Sequence, residues 1–477
     1  MVKIGERRWT DRLSALGLSG RRMARAFAEL LRPGAGEAAL APDLPDGDLP
    51  YLKRRIDECL GGRGGAASAR ARAAELGRAY LALDTNGRAR FLELLANHYG
   101  PDQSWIETTA MALVNASPPQ RPAARRALSQ ALVAPRLKLL RQFNGLEEGV
   151  KFLVDLRADL LALKSDAPEL AALEAELHDL LESWFDIGFL ALRQITWDAP
   201  ASLLEKLVDY EAVHQIRSWQ DLKNRLDQDR RCYAFFHPAM PDEPLIFVEV
   251  ALVEGLADNV QALLDAAAPK SDQSKADTAI FYSISNAQKG LQGVAFGDFL
   301  IKRVVDTLAR DLPNLKTFAT LSPIPGFRRW LNARALMPPS LIEGESGRAI
   351  CALAGIEDPM RALCALLDRP RWHKDAELAQ ALEPVLMQLC AHYLVEEKRT
   401  DGDGAARALD PVAHFHLTNG ARVERINWGA DIAKNGLAQS AGMMVNYLYR
   451  LGDIEANHER YRAEGRIATS SAVRALV

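Results

Sequence analysis

The composition of this chain changes near Trp184, and that change limits the possible folds more than any single motif. From Ala66 to Ser183 the sequence is rich in Ala, Leu, Arg and Glu and poor in β-branched residues. Segments such as ELGRAYLALDTNGRARFLELLANHYG and GVKFLVDLRADLLALK repeat apolar residues at the helical period. Beyond Trp184 aromatic and β-branched residues enter, and RRCYAFFHPAM and EPLIFVEVALVEGL have the apolar density of sheet strands. The expectation is a two-domain α+β protein: an all-α helical bundle over 66–189 and a mixed α/β domain over 190–477. Residues 1–65 start helical and pass into GAGEAALAPDLPDGDLP, whose Gly, Pro and Asp content predicts a flexible connection.

Breaks at Gly100-Pro101-Asp102, Pro118-Pro119 and Ser165-Asp166-Ala167-Pro168 divide the bundle into several helices, with no fixed period that would make it a solenoid. In the second domain Pro241-Asp242-Glu243-Pro244 has the length of a hairpin turn between two strands. TAIFYSIS and FATLSP read as further strands, and a helical stretch runs from about Asp358 to Glu397.

The chain's 477 residues suffice for a sizeable core, and 48% hydrophobic and 25% charged residues with a formal charge of −3 describe an ordinary globular protein. No excess of positive charge points to nucleic acid, so anionic ligands have to be held locally. Five cysteines, dispersed and without CxxC spacing, argue against a disulfide framework or a zinc site and for a reducing compartment. No run reaches the length of a membrane span. The first residues are arginine-rich and amphipathic, but Glu6, Asp11 and Glu29 count against a transit peptide. The ending Ala475-Leu476-Val477 lacks the Ser-Lys-Leu address, so the expected location is cytoplasmic.

Phe281 to Phe327 holds the most suggestive chemistry. Gln292-Gly293-Val294-Ala295-Phe296-Gly297-Asp298 leads into a helix whose Leu300, Ile301, Val304, Val305 and Leu308 keep helical spacing, with Asp298 as its possible N-cap. Small residues before a helix let an anion reach its unpaired N–H groups, although the same glycines also suit an ordinary turn. Ser322, before Pro323, is pushed to an extended conformation, and Pro325-Gly326 turns the chain afterwards; such a serine either presents its hydroxyl or caps the turn. His414 and His416 alternate across Phe415, so in a strand they would share a face. His98 and His178 read as solvated helix residues and His237 as structural or lining. No third ligand accompanies any of them at metal-site spacing, so no metal is expected.

Several long segments in one order resemble the malonyl-CoA decarboxylase family: GVKFLVDLRADLL, HPAMPDEPLIFVEVAL, FYSIS with GLQGVAFGDFLIKRVV, LSPIPGF, and HFHLTNGA with RINWGAD and GMMVNYLY. The resemblance implies a helical N-terminal domain used in homo-oligomerisation, as dimer or tetramer, and a catalytic domain with the acetyl-CoA-dependent acetyltransferase (GNAT-like) fold. It implies that the CoA pyrophosphate sits on Gln292 to Asp298, with Ala295 where the GNAT loop has its middle glycine. Ser322 and His416 match the family's catalytic pair: Ser322 to bind the malonyl group and relay a proton as proton acceptor, His416 to protonate the enolate from an imidazole of near-neutral pKa. Asn419, Asn427 and Tyr447 match family motifs and are either pocket-lining or structural; Lys289, Arg328 and Arg329 are either CoA contacts or solvated charges. The implied reaction converts malonyl-CoA to acetyl-CoA and CO2 with no cofactor, because the thioester carbonyl is itself the electron sink. An acyl-CoA-dependent transferase and a non-catalytic CoA-binding scaffold stay open as alternatives, as does a covalent acyl-Ser322.

Overall fold

A computed structural model describes residues 40–61, 65–163, 166–185, 187–268, 270–294, 300–337, 340–400 and 404–477. These divide into two compact units, one ending at Trp184 and also holding Gln288–Val294, the other formed by the rest from Phe185 onward. The division falls a few residues before the expected 189/190 boundary, and Gln288–Val294, expected inside the C-terminal domain, belongs to the helical unit.

The first unit consists of the helices Leu49–Leu60, Gly65–Ala82, Thr85–His98, Gln103–Val114, Arg121–Ala131, Pro135–Asn144, Gly149–Ala162 and Pro168–Glu182. They stop where the sequence punctuates them: Asp84 accepts from Gly87 N and Asp102 from Ser104 N and Trp105 N, supplying partners for amides that the helix start leaves unpaired. Leu52, Phe91, Leu95, Phe143, Leu153 and Leu177 are fully buried, each such side chain contributing about 1.5–3 kcal/mol of transfer free energy. The flexible connection expected before residue 65 is corrected for its described part. Leu44, between Pro42 and Pro45, is buried, Pro42 O accepts from Asp84 N at 2.8 Å, and Leu52, Ile56 and Cys59 of the following helix are buried, so this segment is tied to the bundle. The helical start expected for the first residues lies outside the described residues.

In the second unit an eight-stranded sheet runs in the order β1-β2-β3-β4-β5-β10-β6, with β9 paired to β10. Its strands are β1 Ala191–Ile195, β2 Arg230–His237, β3 Met240–Val253, β4 Thr278–Asn286, β5 Thr317–Thr320, β6 Ser322–Pro323, β9 Arg422–Asn427 and β10 Met444–Leu448; β7 Lys398–Thr400 and β8 Ala406–Ala408 form a separate ladder. The β2–β3 turn is Pro238-Ala239, not Pro241 to Pro244, which lie inside β3. The register shifts around Phe236, opposite Pro244, and a proline that cannot donate to the ladder is tolerated at such an irregularity. His237 Nδ1 accepts from Ala239 N across this turn, a structural role.

One pair, β4 with β5, is parallel, and the others are antiparallel. A parallel neighbour needs a crossover, and the helix Leu300–Asp311 lies between the two strands in sequence, with Leu300, Ile301, Val304, Val305 and Leu308 buried. Next to β5 the ladder breaks at Leu321 before β6 resumes it, and β9–β10 carries an irregularity at Asn446/Tyr447. Side chains repair the break: Thr320 Oγ1 accepts from Tyr447 N at 3.1 Å, and Asn446 Nδ2 donates to Thr320 O at 2.7 Å.

Candidate active site

Ser322 lies just beyond this break. Pro323 keeps it extended, and it pairs with Val445 of β10. The following turn is fixed by sterics rather than by backbone sign: Gly326 has an ordinary φ of −89°, but a Cβ there would meet Tyr393 Oη at 2.1 Å. Gly326 N donates to the buried Asp410 Oδ2 at 3.3 Å. The other oxygen of Asp410 accepts from Val412 N and Ala413 N and starts the helix Pro411–Thr418, with Pro411 at a first-turn position where its missing N–H costs nothing. One carboxylate therefore fastens the turn after Ser322 to the helix that carries His416.

That helix corrects the expected strand. Residues two apart on a helix point about 200° from each other, so His414 and His416 do not share a face. His414 Nδ1 meets Tyr461 Oη at 2.8 Å, whereas His416 Nε2 meets Ser322 Oγ at 3.0 Å. His416 Nδ1 meets Tyr449 Oη at 2.7 Å, and its ring stacks on Tyr447 with centroids 4.5 Å apart. Ser322 Oγ donates to Thr320 Oγ1 at 2.8 Å. With the serine proton used there, the network assigns the imidazole proton to Nε2, donating to Ser322 Oγ, and leaves Nδ1 to accept from Tyr449. The hydrogen bonds then run in one direction, Tyr449 to His416 to Ser322 to Thr320.

The site is dry. Ser322 is 5% exposed, His416 2%, Tyr449 1% and Thr320 0%. Burial pushes the His416 pKa down from 6.5 to about 3, so the imidazole is neutral at pH 7 and the near-neutral value expected from sequence is corrected. The Tyr449 and Tyr447 hydroxyls are raised well above their usual range, again chiefly by burial. Tyr447 Oη and Asn419 Oδ1 have no hydrogen-bond partner among the described residues. Asn419 Nδ2 donates to Phe415 O, while Asn427 Nδ2 donates to Asn446 Oδ1 at 2.8 Å in the network that repairs the strand break. Arg328 is committed to Asp368 and to the Cys364 carbonyl.

Of the candidate CoA-binding residues, Gln292, Gly293 and Val294 are in the helical unit, and Ala295, Phe296, Gly297 and Asp298 lie outside the described residues. Val294 N donates to Leu291 O, Gln292 has φ −58° and ψ 128°, and Gly293 has φ +80°: a type II turn, which requires glycine at its third position. His178, expected to be solvated, meets the Gly293 carbonyl through Nε2 at 3.1 Å. His98 is exposed, as expected, beside Lys53. Among the described residues His178, Asp179 and Glu182 offer ligand atoms within 4.8 Å of one another, but the two acids are exposed and Nε2 of the histidine is already used.

Sequence reading missed Tyr449 and Thr320. Tyr449 could have been found, since residues two apart in a strand share a face and Tyr447 was already a candidate. No helix of the described residues is long and apolar enough to cross a membrane.

The family described as malonyl-CoA decarboxylase N-terminal domain matches residues 99–185, and that described as malonyl-CoA decarboxylase C-terminal domain matches residues 188–477. A protein named malonyl-CoA decarboxylase, mitochondrial, from Anser anser anser is 41% identical over 426 residues, covering 85% of this chain and 83% of its own. Its counterpart from Rattus norvegicus is 39% identical, covering 82% of each. The crystal structure of malonyl-CoA decarboxylase from Rhodopseudomonas palustris superposes with a TM-score of 0.81 at 43% identity, covering 89% of this chain and 99% of that one. The structure from Agrobacterium vitis gives 0.79 at 40% identity, with coverage of 89% and 99%.

Proposed function

The chain belongs to the malonyl-CoA decarboxylase family, and from that premise we propose how it converts malonyl-CoA to acetyl-CoA and CO2. The observation that carries the reading is the enclosed contact of Ser322 Oγ with His416 Nε2, backed by Tyr449 on Nδ1. When the bond between C2 and the malonyl carboxylate breaks, its electron pair moves into the thioester carbonyl and CO2 leaves. The resulting enolate needs a donor at its oxygen and a proton at C2, and no cofactor has to take the electrons.

A buried site of this kind excludes water from the departing carboxylate and strengthens each donor aimed at the oxyanion. Tyr447 Oη, unpartnered and stacked against the imidazole, suits that donor role. Ser322 gives its proton to C2 and accepts the Nε2 proton of His416, while Tyr449 hands its own to Nδ1. The C2–H, Ser322 O–H and Nδ1–H bonds form as the former Ser322 O–H, Nε2–H and Tyr449 O–H bonds break; the one proton that the overall reaction consumes arrives from solvent when the products leave and restores the tyrosine. The imidazole thus serves as the acid without existing as a stable cation, which fits a pKa held near 3 by burial. A covalent acyl-serine would instead need Nε2 as acceptor, opposite to the donor order assigned above. Incubation with malonyl-CoA alone, followed as CO2 and acetyl-CoA, tests the activity; no turnover above the uncatalysed rate would sink it. Rapid quench with intact-mass analysis tests the route, since an acyl adduct accumulating on Ser322 would overturn the relay.

The parallel β4–β5 pair within an otherwise antiparallel sheet supports placing the second unit in the acetyl-CoA-dependent acetyltransferase class of folds. In that reading the CoA pyrophosphate rests on the loop beginning at Gln292. Self-association through the helical unit is supported by the exposed Trp105, Met111, Val114, Leu132 and Val133, and light scattering of the purified protein tests it. The free thiols of Cys59, Cys232 and Cys390, all buried, support a reducing compartment such as the cytoplasm.

A further inference from the structure

The segment Gln288–Val294 is held by side chains of the helical unit far from it in sequence. Gly290 leaves no clearance: a Cβ there would come within 1.7 Å of Val154 O. Arg157, 2% exposed, donates through Nη1 to Gly290 O at 2.7 Å and to Gln292 O at 2.9 Å. Its Nε and Nη2 are taken by Glu174 Oε1 at 3.0 and 2.5 Å, which fixes the guanidinium plane. His178 Nε2 adds a third contact, to Gly293 O.

These contacts have a direction. In a trans peptide the C=O and the following N–H point opposite ways, so pulling the Gln292 carbonyl onto Arg157 turns the Gly293 N–H away from the helices. Gln292 and Gly293 are themselves exposed. An outward backbone N–H at a glycine with φ +80° is the kind of donor that receives a phosphate oxygen.

We propose that Arg157 and His178, on the helices Gly149–Ala162 and Pro168–Glu182, are positioning residues for CoA recognition: they set the backbone of Gln292-Gly293-Val294 so that its amide meets the pyrophosphate. This rests on the reading of that loop as the pyrophosphate site.

The test compares malonyl-CoA with malonyl-pantetheine, which keeps the reacting thioester but lacks the pyrophosphate. His178→Ala should raise KM for malonyl-CoA about three- to tenfold, the worth of one backbone hydrogen bond, with kcat held and malonyl-pantetheine unaffected. His178→Gln, whose amide can still donate, should recover part of the loss. Arg157→Met should raise the same KM about ten- to a hundredfold. Because Arg157 is buried and that variant can fail to fold, the half-exposed His178 carries the decision if its melting curve is abnormal. An unchanged KM in His178→Ala overturns the proposal, and so does an equal loss on both substrates, which would mean general damage. Gly293→Ala separates the two premises. If it raises KM for malonyl-CoA while His178→Ala does not, the loop binds CoA without help from the helices; if Gly293→Ala also changes nothing, the loop is not the pyrophosphate site.

Discussion

The Ser322–His416 site and the Gln292 loop use backbone in opposite ways. At the first, in the mechanism proposed above, side chains react and the backbone is mended around them: Thr320 and Asn446 fill a gap in the ladder so that Ser322, His416 and Tyr449 line up inside a closed core. At the second, as proposed above, the backbone is the instrument, and Arg157 and His178 aim it. The contrast teaches that damage to the first should appear in kcat and damage to the second in KM, because one set of contacts acts on charge that develops in the transition state and the other on a part of the substrate that does not react.

The largest break should come from Ser322→Ala or His416→Asn, each lowering kcat about 10²- to 10⁴-fold with KM little changed. Full activity in either would remove that residue from the site. Tyr449→Phe keeps the ring and deletes the hydroxyl on His416 Nδ1, and should cost about ten- to a hundredfold in kcat, since the imidazole loses the group that fixes its tautomer. Gly293→Ala, forced to φ +80°, should raise KM about five- to thirtyfold through about 1–2 kcal/mol of left-handed strain, leaving kcat in place. A fall in kcat there instead would blur the comparison.

The last effect is on stability rather than on turnover. Burial lowers the folded-state pKa of His416 to about 3 from 6.5, so the unfolded chain binds a proton that the folded chain refuses as pH drops between those values. Stability is therefore lost as pH falls below about 6.5, by up to about 1.4 kcal/mol per pH unit for this group. Urea midpoints measured from pH 7 to 4.5 should show the slope, and His416→Asn should flatten it. His214, lowered to about 4 by its own burial, supplies a second slope that the substitution leaves intact. Equal slopes in the wild type and His416→Asn would contradict the buried neutral imidazole.

The helical unit and the sheet strands were legible because their apolar periods differ and burial follows the period, as Leu300 to Leu308 illustrate. Pairing Ser322 with His416 came from resemblance, since nothing local ties residues so far apart. The HFHL segment reads as a strand by its period-two alternation alone, whereas Asp410-Pro411, a cap followed by a first-turn proline, signals the helix that forms. Pro241 to Pro244 misled because proline marks turns, yet a strand irregularity also accommodates it. The docking of Gly290 onto Val154 had no signal in the chain, because a glycine chosen for close approach looks the same as one chosen for a bend.

The amide of Tyr447 donates a hydrogen bond to a hydroxyl, Thr320 Oγ1, that also accepts one from Ser322. Its NMR shift and its rate of exchange with deuterated solvent are therefore wired to the serine. When Ser322 turns from Thr320 toward an incoming acyl group, that backbone resonance should move, giving a spectroscopic view of substrate engagement through the main chain.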